Sequence, residues 1–474
     1  LLVGSSNYED GLTNGGCIRI FDVTRQVSGE AVLNQGITSG PLAAADADGD
    51  GSIEIFVGGR PVPGGYPRAS DSLLLRNAGG RLSPVQRFSG LGIVNDALFV
   101  DLDGDGRSEL ALACEWGPVR VLALKDGRWV DRTAELGLDT ETGWWNSVAA
   151  GDFDGDGRVD LLAGNWGRNI FPGVVGPGSP RTCHYGDLGG SGSVDVVEGY
   201  TGPGGVELPV RKFASVSQAI PGIKEAFASH ARYGAATLKD LYGVALATNP
   251  VVTARRLESV LLLNRGPRFE IRSLPTEAQV SPVFGIAVAD FDGDGNDDAF
   301  LGQNFFPVHP EEARQDAGVG VVLLGDGKGG FRSASVQESG VMVFGEARGA
   351  AVADFDGDGR PDLAVAQNGA AVRVFRNQGA KPALRVRLDG GPTNPTGVGA
   401  RVRLWAGDRP GPFRTVHLGG GYWSCPSPTL IPACSTTPTH VEVQWPGGQS
   451  FKTALPADAR GVRVMADGKL TELR

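Results

Sequence analysis

Short apolar runs alternate along this chain with glycine-rich polar turns, and the same order of runs and turns keeps returning. Ala97-Leu98-Phe99-Val100 is answered by Leu110-Ala111-Leu112, Ile286-Ala287-Val288-Ala289 by Ala299-Phe300-Leu301, and Ala350-Ala351-Val352-Ala353 by Leu363-Ala364-Val365. Runs this short, bounded by glycine, read as buried strands. A second kind of turn, at Asn77 to Leu82, Asp126 to Trp129, Asn264 to Phe269 and Asp326 to Phe331, has the Asn/Asp-Gly character of a hairpin. The repeating unit is therefore strand, acidic loop, strand, longer loop, strand, hairpin, strand. Four-stranded blades of ~40 to 60 residues set around an axis make a β-propeller. Six loops and an N-terminal half-blade predict seven blades in an all-β fold.

The loop inside each unit carries the chemistry. It reads DxDGDGxx(D/E) and is complete five times. The expected metal ligands are Asp46, Asp48, Asp50 and Glu54; Asp101, Asp103, Asp105 and Glu109; Asp152, Asp154, Asp156 and Asp160; Asp290, Asp292, Asp294 and Asp298; and Asp354, Asp356, Asp358 and Asp362. Hard oxygens at positions 1, 3, 5 and 9, with a carbonyl near 7, match the preference of Ca2+ for several oxygen ligands. A helical calcium hand closes at position 12 between two helices, whereas this loop closes at 9 between strands. A single copy also fits a solvated acidic turn. Five copies crowd carboxylates that repel one another unless a cation neutralises them. A sixth loop, Asp187 to Asp195, has Gly189 and Ser191 at positions 3 and 5, and is expected to bind metal weakly or not at all.

The formal charge of -10 follows from these loops. Four acids in each complete loop and two in the degraded one account for 22 of the 54, leaving 32 against 44 Lys and Arg. No basic stripe points to nucleic acid. Cys17, Cys114, Cys183, Cys425 and Cys434 contain no CxxC pair and the histidines no HExxH, so zinc is not expected. Cys425 and Cys434 could form a local disulfide or stay free, and Cys114 is the best candidate for a buried thiol. No apolar stretch reaches the ~20 residues of a membrane span. Leu1-Leu2-Val3-Gly4 resembles the run that follows position 9 elsewhere, so the chain reads as a fragment of a longer, exported precursor.

Between 187 and 290, helical spacing of Ile220, Ile223, Phe227, Ala231, Ala235, Leu238 and Tyr242 predicts a helical pair at about 216 to 243, capped by Ser217 and stopped by Gly243.

The DxDGDGxxD blades resemble the FG-GAP, or VCBS-type, repeats of integrin-alpha-like propellers. After residue 380, Leu384 to Leu388, Gly397 to Val402, Gly420-Gly421-Tyr422 and Val441 to Gly448 resemble an ASPIC/UnbV domain. The combination is similar to the cartilage acidic protein 1 family. Trp144-Trp145-Asn146-Ser147, Gly164-Asn165-Trp166-Gly167 and the helical insertion look like its bacterial branch. The resemblance implies a propeller over residues 1 to 380 and a small β-sandwich-like domain over 381 to 474. Ile431 to Ser435 departs from the family pattern at one edge of that domain, and no EGF-like cysteine module follows.

Opposite the acidic loops, the other turns hold Tyr66, Trp116, Trp144, Trp145, Trp166, Phe305 and Phe306. Either they form a binding face for a carbohydrate or an extracellular protein, with Asn165, Gln303, Asn304 and His309 as polar partners, or they cap blade interfaces and pack against the insertion. The Gly325-x-Gly327-x-x-Gly330 match to a dinucleotide fingerprint lies in a hairpin and lacks the required helix. The leading expectation is a non-enzymatic, calcium-stabilised adhesion or ligand-binding protein that is secreted, periplasmic or on the cell surface. The alternative is a calcium-dependent polysaccharide lyase or hydrolase using a basic residue such as Arg168 or Arg314. A third is an assembly module docking through its C-terminal domain.

Overall fold

A strand buried on both faces needs a sheet on each side, and Ile93–Val100, buried at every position, lies between Ser39–Ala45 and Ser147–Gly151. The computed structural model describes residues 2–5, 17–22, 26–31, 37–78, 81–170, 175–420 and 422–473. Within them, antiparallel sheets begin at the strands Leu2–Ser5, Ser39–Ala45, Ile93–Val100, Ser147–Gly151, Val283–Ala289 and Glu346–Ala353. Those first strands lie side by side in chain order, which is the radial arrangement of a β-propeller. Between neighbouring sheets run apolar layers: Leu98, Trp145, Val148 and Leu161 fill one, and Phe153, Leu162, Ile286 and Leu301 the next.

A seventh sheet exists before residue 380 but does not follow in this succession. Its strands Arg181–Gly186, Asp195–Thr201, Glu207–Pro209 and Val251–Ala254 are inserted between Asp160–Gly164 and Val260–Asn264, which pair with each other. The degraded loop Asp187 to Asp195 thus belongs to a hairpin of the insertion, not to a blade in the ring succession, and the count of seven drawn from it lacks that basis. The helical part is also larger than the expected pair. It comprises Phe213–Ala219, Pro221–Phe227, His230–Gly234 and Leu238–Thr248. Pro221 restarts the helix, and Ser217 lies inside the first one. The side-chain caps are Ser229 and Thr237. Gly243, at φ 52°, interrupts the last helix without ending it.

The two sheets beyond residue 380 form a small sandwich. One is built on Arg385–Asp389 and Gly461–Met465, which are parallel, and the other on Arg401–Ala406 and His440–Gln444. Leu384, Val386, Val402, Val441, Trp445 and Val462 join Ala45, Phe56, Phe99 and Leu110 in one continuous core, so this sandwich is packed on the propeller rather than tethered to it. No helix among the described residues is long and apolar enough to cross a membrane.

Candidate functional site: two opposite faces

In all five complete loops the backbone itself organises the acids. One oxygen of the position 1 aspartate accepts from the glycine N–H at position 6, at 3.0 to 3.1 Å. Position 9 accepts from the N–H at position 2, at 2.8 to 3.1 Å. The glycines at positions 4 and 6 have positive φ throughout, for example Gly49 at 75° and Gly51 at 87°, a conformation costly for any side chain. This framework leaves Oδ1 of Asp46, Asp152 and Asp354 buried without a hydrogen-bond partner.

Three carboxylates in each loop place oxygens within 4.8 Å of one another: Asp46, Asp48 and Asp50; Asp101, Asp103 and Glu109; Asp152, Asp154 and Asp160; Asp290, Asp292 and Asp294; and Asp354, Asp356 and Asp362. The fourth expected ligand of each loop, Glu54, Asp105, Asp156, Asp298 and Asp358, stands outside these groups of three. Glu54 accepts from Arg76, Asp105 from the Arg107 N–H, Asp156 and Asp358 pair with Arg158 and Arg360, and Asp298 takes two backbone N–H groups. Orphaned buried oxygens beside clustered hard donors fit a divalent, oxygen-seeking cation. The degraded loop keeps the Gly192 N–H bond to Asp187 but replaces the missing carboxylate with Ser191, which bonds Ser193 at 2.6 Å.

Burial makes the crowded carboxylates harder to ionise. Desolvation first, then like-charged neighbours, pushes Asp152 and Asp160 up to about 7, Asp290 to about 6, and Glu54, Glu109 and Asp298 to about 7, 8 and 8. Arg76 answers part of this charge, 2.8 Å from Asp48 and 3.2 Å from Glu54. Arg265 and Arg376 take similar places over Asp154 and Asp356.

The C-terminal sandwich covers this face. Arg401 lies 3.3 Å from Asp101, Arg385 3.5 Å from Asp354, and Arg414 2.7 Å from the fully buried Asp297. A Cβ on Gly106 would sit 2.8 Å from Gly448, and one on Gly295 2.5 Å from Ser435. From there a loop runs up the axis. The Ala44 N–H donates to the Leu418 carbonyl, His417 Nδ1 meets the Phe99 carbonyl at 3.1 Å, and the Tyr422 N–H donates to Asp96. The chain then turns back along the sixth sheet, where Ser424 Oγ accepts from the Ala350 N–H at 3.0 Å. Only glycine passes at 419, where a Cβ would come within 2.2 Å of the Leu42 carbonyl. Burial holds His417 down to about 4, so it is neutral at its post.

The tip of that loop emerges in a cavity of about 1790 Å³ on the opposite face. A line of rings crosses this face, each in contact with the next: Trp116, Trp144, Trp166, Phe305, Phe284, Tyr422 and Trp423, with centroid separations of 4.9 to 6.1 Å. Four of its members or neighbours, Trp116, Asn304, Tyr422 and Trp423, have positive φ without being glycine. Such strain gathers where a surrounding structure must hold a group in place. Six cations, Arg60, Arg181, Arg211, Lys212, Arg314 and Arg348, face four glutamates, Glu115, Glu198, Glu311 and Glu312. Tyr66 donates to Glu115 at 2.6 Å and accepts from Trp116 at 2.7 Å. Burial, then the Glu115 charge, raises the Tyr66 hydroxyl well above its ordinary range, fixing it as a donor.

Of the aromatic residues expected on this face, Trp144, Trp166 and Phe305 line the cavity, Trp116 underpins them, and Phe306 lies 4.0 Å beneath the Arg314 guanidinium. Trp145 does not belong there. It is 1% exposed in the core, with its indole N–H on the Glu141 carbonyl, because neighbouring residues in an extended run point to opposite sides. The expected polar partners divide as well. His309 lines the cavity, whereas Asn165, Gln303 and Asn304 are buried and hold the backbone: Asn165 accepts from the Trp144 and Trp166 N–H groups, and Asn304 spans Gly318 and Gly345. Arg168 is paired with Glu258 and is not part of the cavity lining. Cys114, Cys183, Cys425 and Cys434 are free thiols, with Cys114 buried as expected. Sequence reading missed Tyr422, Trp423, Phe284 and Arg348; the Gly419-Gly420 thread was the available signal for the first two.

Residues 101–163 match the FG-GAP-like repeat family, 347–380 the FG-GAP repeat, and 390–464 the ASPIC and UnbV family. No curated protein matches the chain. Among solved structures, the exotype rhamnogalacturonan lyase YesX is 12% identical over 97% of this chain and 69% of its own, at a TM-score of 0.32. The periplasmic gluconolactonase PpgL of Pseudomonas aeruginosa is 15% identical over 80% and 96%, at 0.31. The rhamnogalacturonan lyase YesW is 12% identical over 93% and 80%, at 0.29. Likenesses this distant say nothing about activity.

Proposed function

Starting from a chain that carries FG-GAP repeats and a C-terminal ASPIC and UnbV domain, we propose a calcium-stabilised, extracytoplasmic binding protein that takes its ligand in the aromatic cavity opposite the acidic loops. The observation that carries this reading is the line of touching rings along a large cavity. Rings that only sealed blade interfaces would be buried, yet Trp423 is 62% exposed. FG-GAP repeats favour an extracellular adhesion or ligand-binding role, which supports secreted or surface placement. Calcium in this reading is structural: Asp46, Asp101, Asp152, Asp290 and Asp354 with their loop partners hold it, and when bound it neutralises carboxylates that otherwise repel. The C-terminal domain acts here within the same chain, covering the metal face and feeding its loop to the ligand face.

The test is a titration of the calcium-loaded protein with oligosaccharides, read by tryptophan fluorescence. A saturable change that Trp166→Ala removes supports the reading; no change with any glycan or extracellular-matrix protein contradicts it. The enzyme alternative draws on Tyr66, Glu115 and Arg314 sharing one cavity. Formation of unsaturated products from uronate polymers, lost in Tyr66→Phe, would favour it. A hydroxyl held protonated by burial and by Glu115 is a poor base, so none is expected.

A further inference from the structure

We propose that the ligand of this cavity is an anionic oligosaccharide, stacked on Trp423 and held by Arg314 and Lys212, so that the C-terminal domain supplies part of the binding site through the propeller axis. The inference rests on the binding reading above and assigns it a ligand class.

Trp423 lies parallel to Tyr422, at 5.1 Å and 4° between planes, with its outer face in the cavity wall. A flat, exposed indole backed by a second ring is a rigid apolar platform of the kind that receives the C–H face of a pyranose. Holding it there is costly. Tyr422 and Trp423 adopt φ of 60° and 56°, and the turn is fastened by the Asp96 bond, by the Ser424 bond to Ala350 and by the Phe284 ring edge 5.0 Å away. Turns of the C-terminal sandwich that serve only packing need no such excursion along the axis.

The charges select the ligand. Arg211 is matched by Glu198 and Glu312, and Arg348 by Glu346. Arg314 is 54% exposed, rests on Phe306 and reaches its nearest carboxylate, Asp316, only at 3.6 Å. The Lys212 ammonium approaches the Glu311 carbonyl oxygen at 3.4 Å, and the Glu311 carboxylate accepts from the Lys212 backbone N–H at 3.1 Å. Both cations are positioned to take a carboxylate or sulfate from a ligand, and the guanidinium offers two parallel donors.

The experiment is calorimetric titration of the full, calcium-loaded chain with three probes: oligogalacturonate, a sulfated oligosaccharide and a neutral malto-oligosaccharide. Expected is binding of one or both anionic probes, weakened by salt, and about tenfold loss in each of Trp423→Ala and Arg314→Gln. Trp423→Phe should recover much of the first loss, and unchanged melting temperatures should exclude unfolding. Uronate and sulfate arms identify which anion is preferred. Neutral probe binding as tightly as the anionic ones overturns the ligand class while leaving the binding reading intact. Anionic binding indifferent to Trp423→Ala overturns the role of the C-terminal loop. No binding by any probe, with Trp166→Ala equally silent, removes both.

Discussion

The two ends of this propeller are built by opposite strategies. The acidic face repeats one nine-residue device five times, and every copy uses the same backbone bonds. The aromatic face repeats nothing: Trp116 comes from the second strand of one sheet, Phe284 from the first strand of another, Trp144 from a two-residue strand, Trp166 and Phe305 from loops, and Tyr422 and Trp423 from the tip of a distant domain. Repetition suits a structural task, since each blade faces the same problem of stapling two strands. A face proposed to bind a ligand has to break the ring's symmetry, and here the inserted sheet and the axial loop do so.

The largest expected effect strikes the acidic face. Each filled site adds ~2.7 kcal/mol when free calcium stands a hundredfold above Kd, so EDTA should lower the melting temperature far more than any single substitution. A calorimetric melt that EDTA does not move would dissolve the contrast between a metal-held face and a ligand face. Next comes the clamp between domains. Arg414 is close enough to Asp297 to pair, though not aligned as a hydrogen bond. Arg414→Met would leave a buried carboxylate with the Asp152 N–H but without its countercharge, and should cost about 3 to 5 kcal/mol in urea unfolding. Asp297→Asn in the same chain should return much of that. A single-variant cost under ~1 kcal/mol would mean that the C-terminal sandwich is not clamped at this point.

A smaller effect is the pH dependence of the metal-free protein. The loop carboxylates at about 6 to 8 in the folded state titrate near 4 when unfolded. Between those values the folded chain binds more protons, so stability in EDTA should fall as pH rises from 5 to 8. Calcium held as proposed would require the deprotonated loops, so its added stability should grow over the same range. Parallel pH profiles with and without calcium would contradict this. The smallest effect sharpens the comparison from the other side. Trp423→Ala, at an exposed ring, should change stability by under ~0.5 kcal/mol while impairing ligand binding.

How much of this was legible in sequence follows the same division. The loops, hairpins and blade strands are local, and their spacing carried them. The extent of the insertion was not legible, because Pro221 and Gly243 break the helical period without ending the helical region. Nor was the fate of neighbouring tryptophans: Trp144 and Trp145 differ only in which way an extended backbone points them. Asn165 and Asn304 looked like ligand partners because buried backbone-bonding amides and exposed ones share a letter. Tyr422 sits more than three hundred residues from Asp96, and only the folded path through the axis joins them.

The most direct test is a crystal structure of the chain grown in calcium with an acidic oligosaccharide. Anomalous signal in the five loops, with sugar density over Trp423 and Trp166 at the far end, is the expected result. Sugar coordinated on the loop face, or empty loops with an empty cavity, would contradict the division of labour between the two faces.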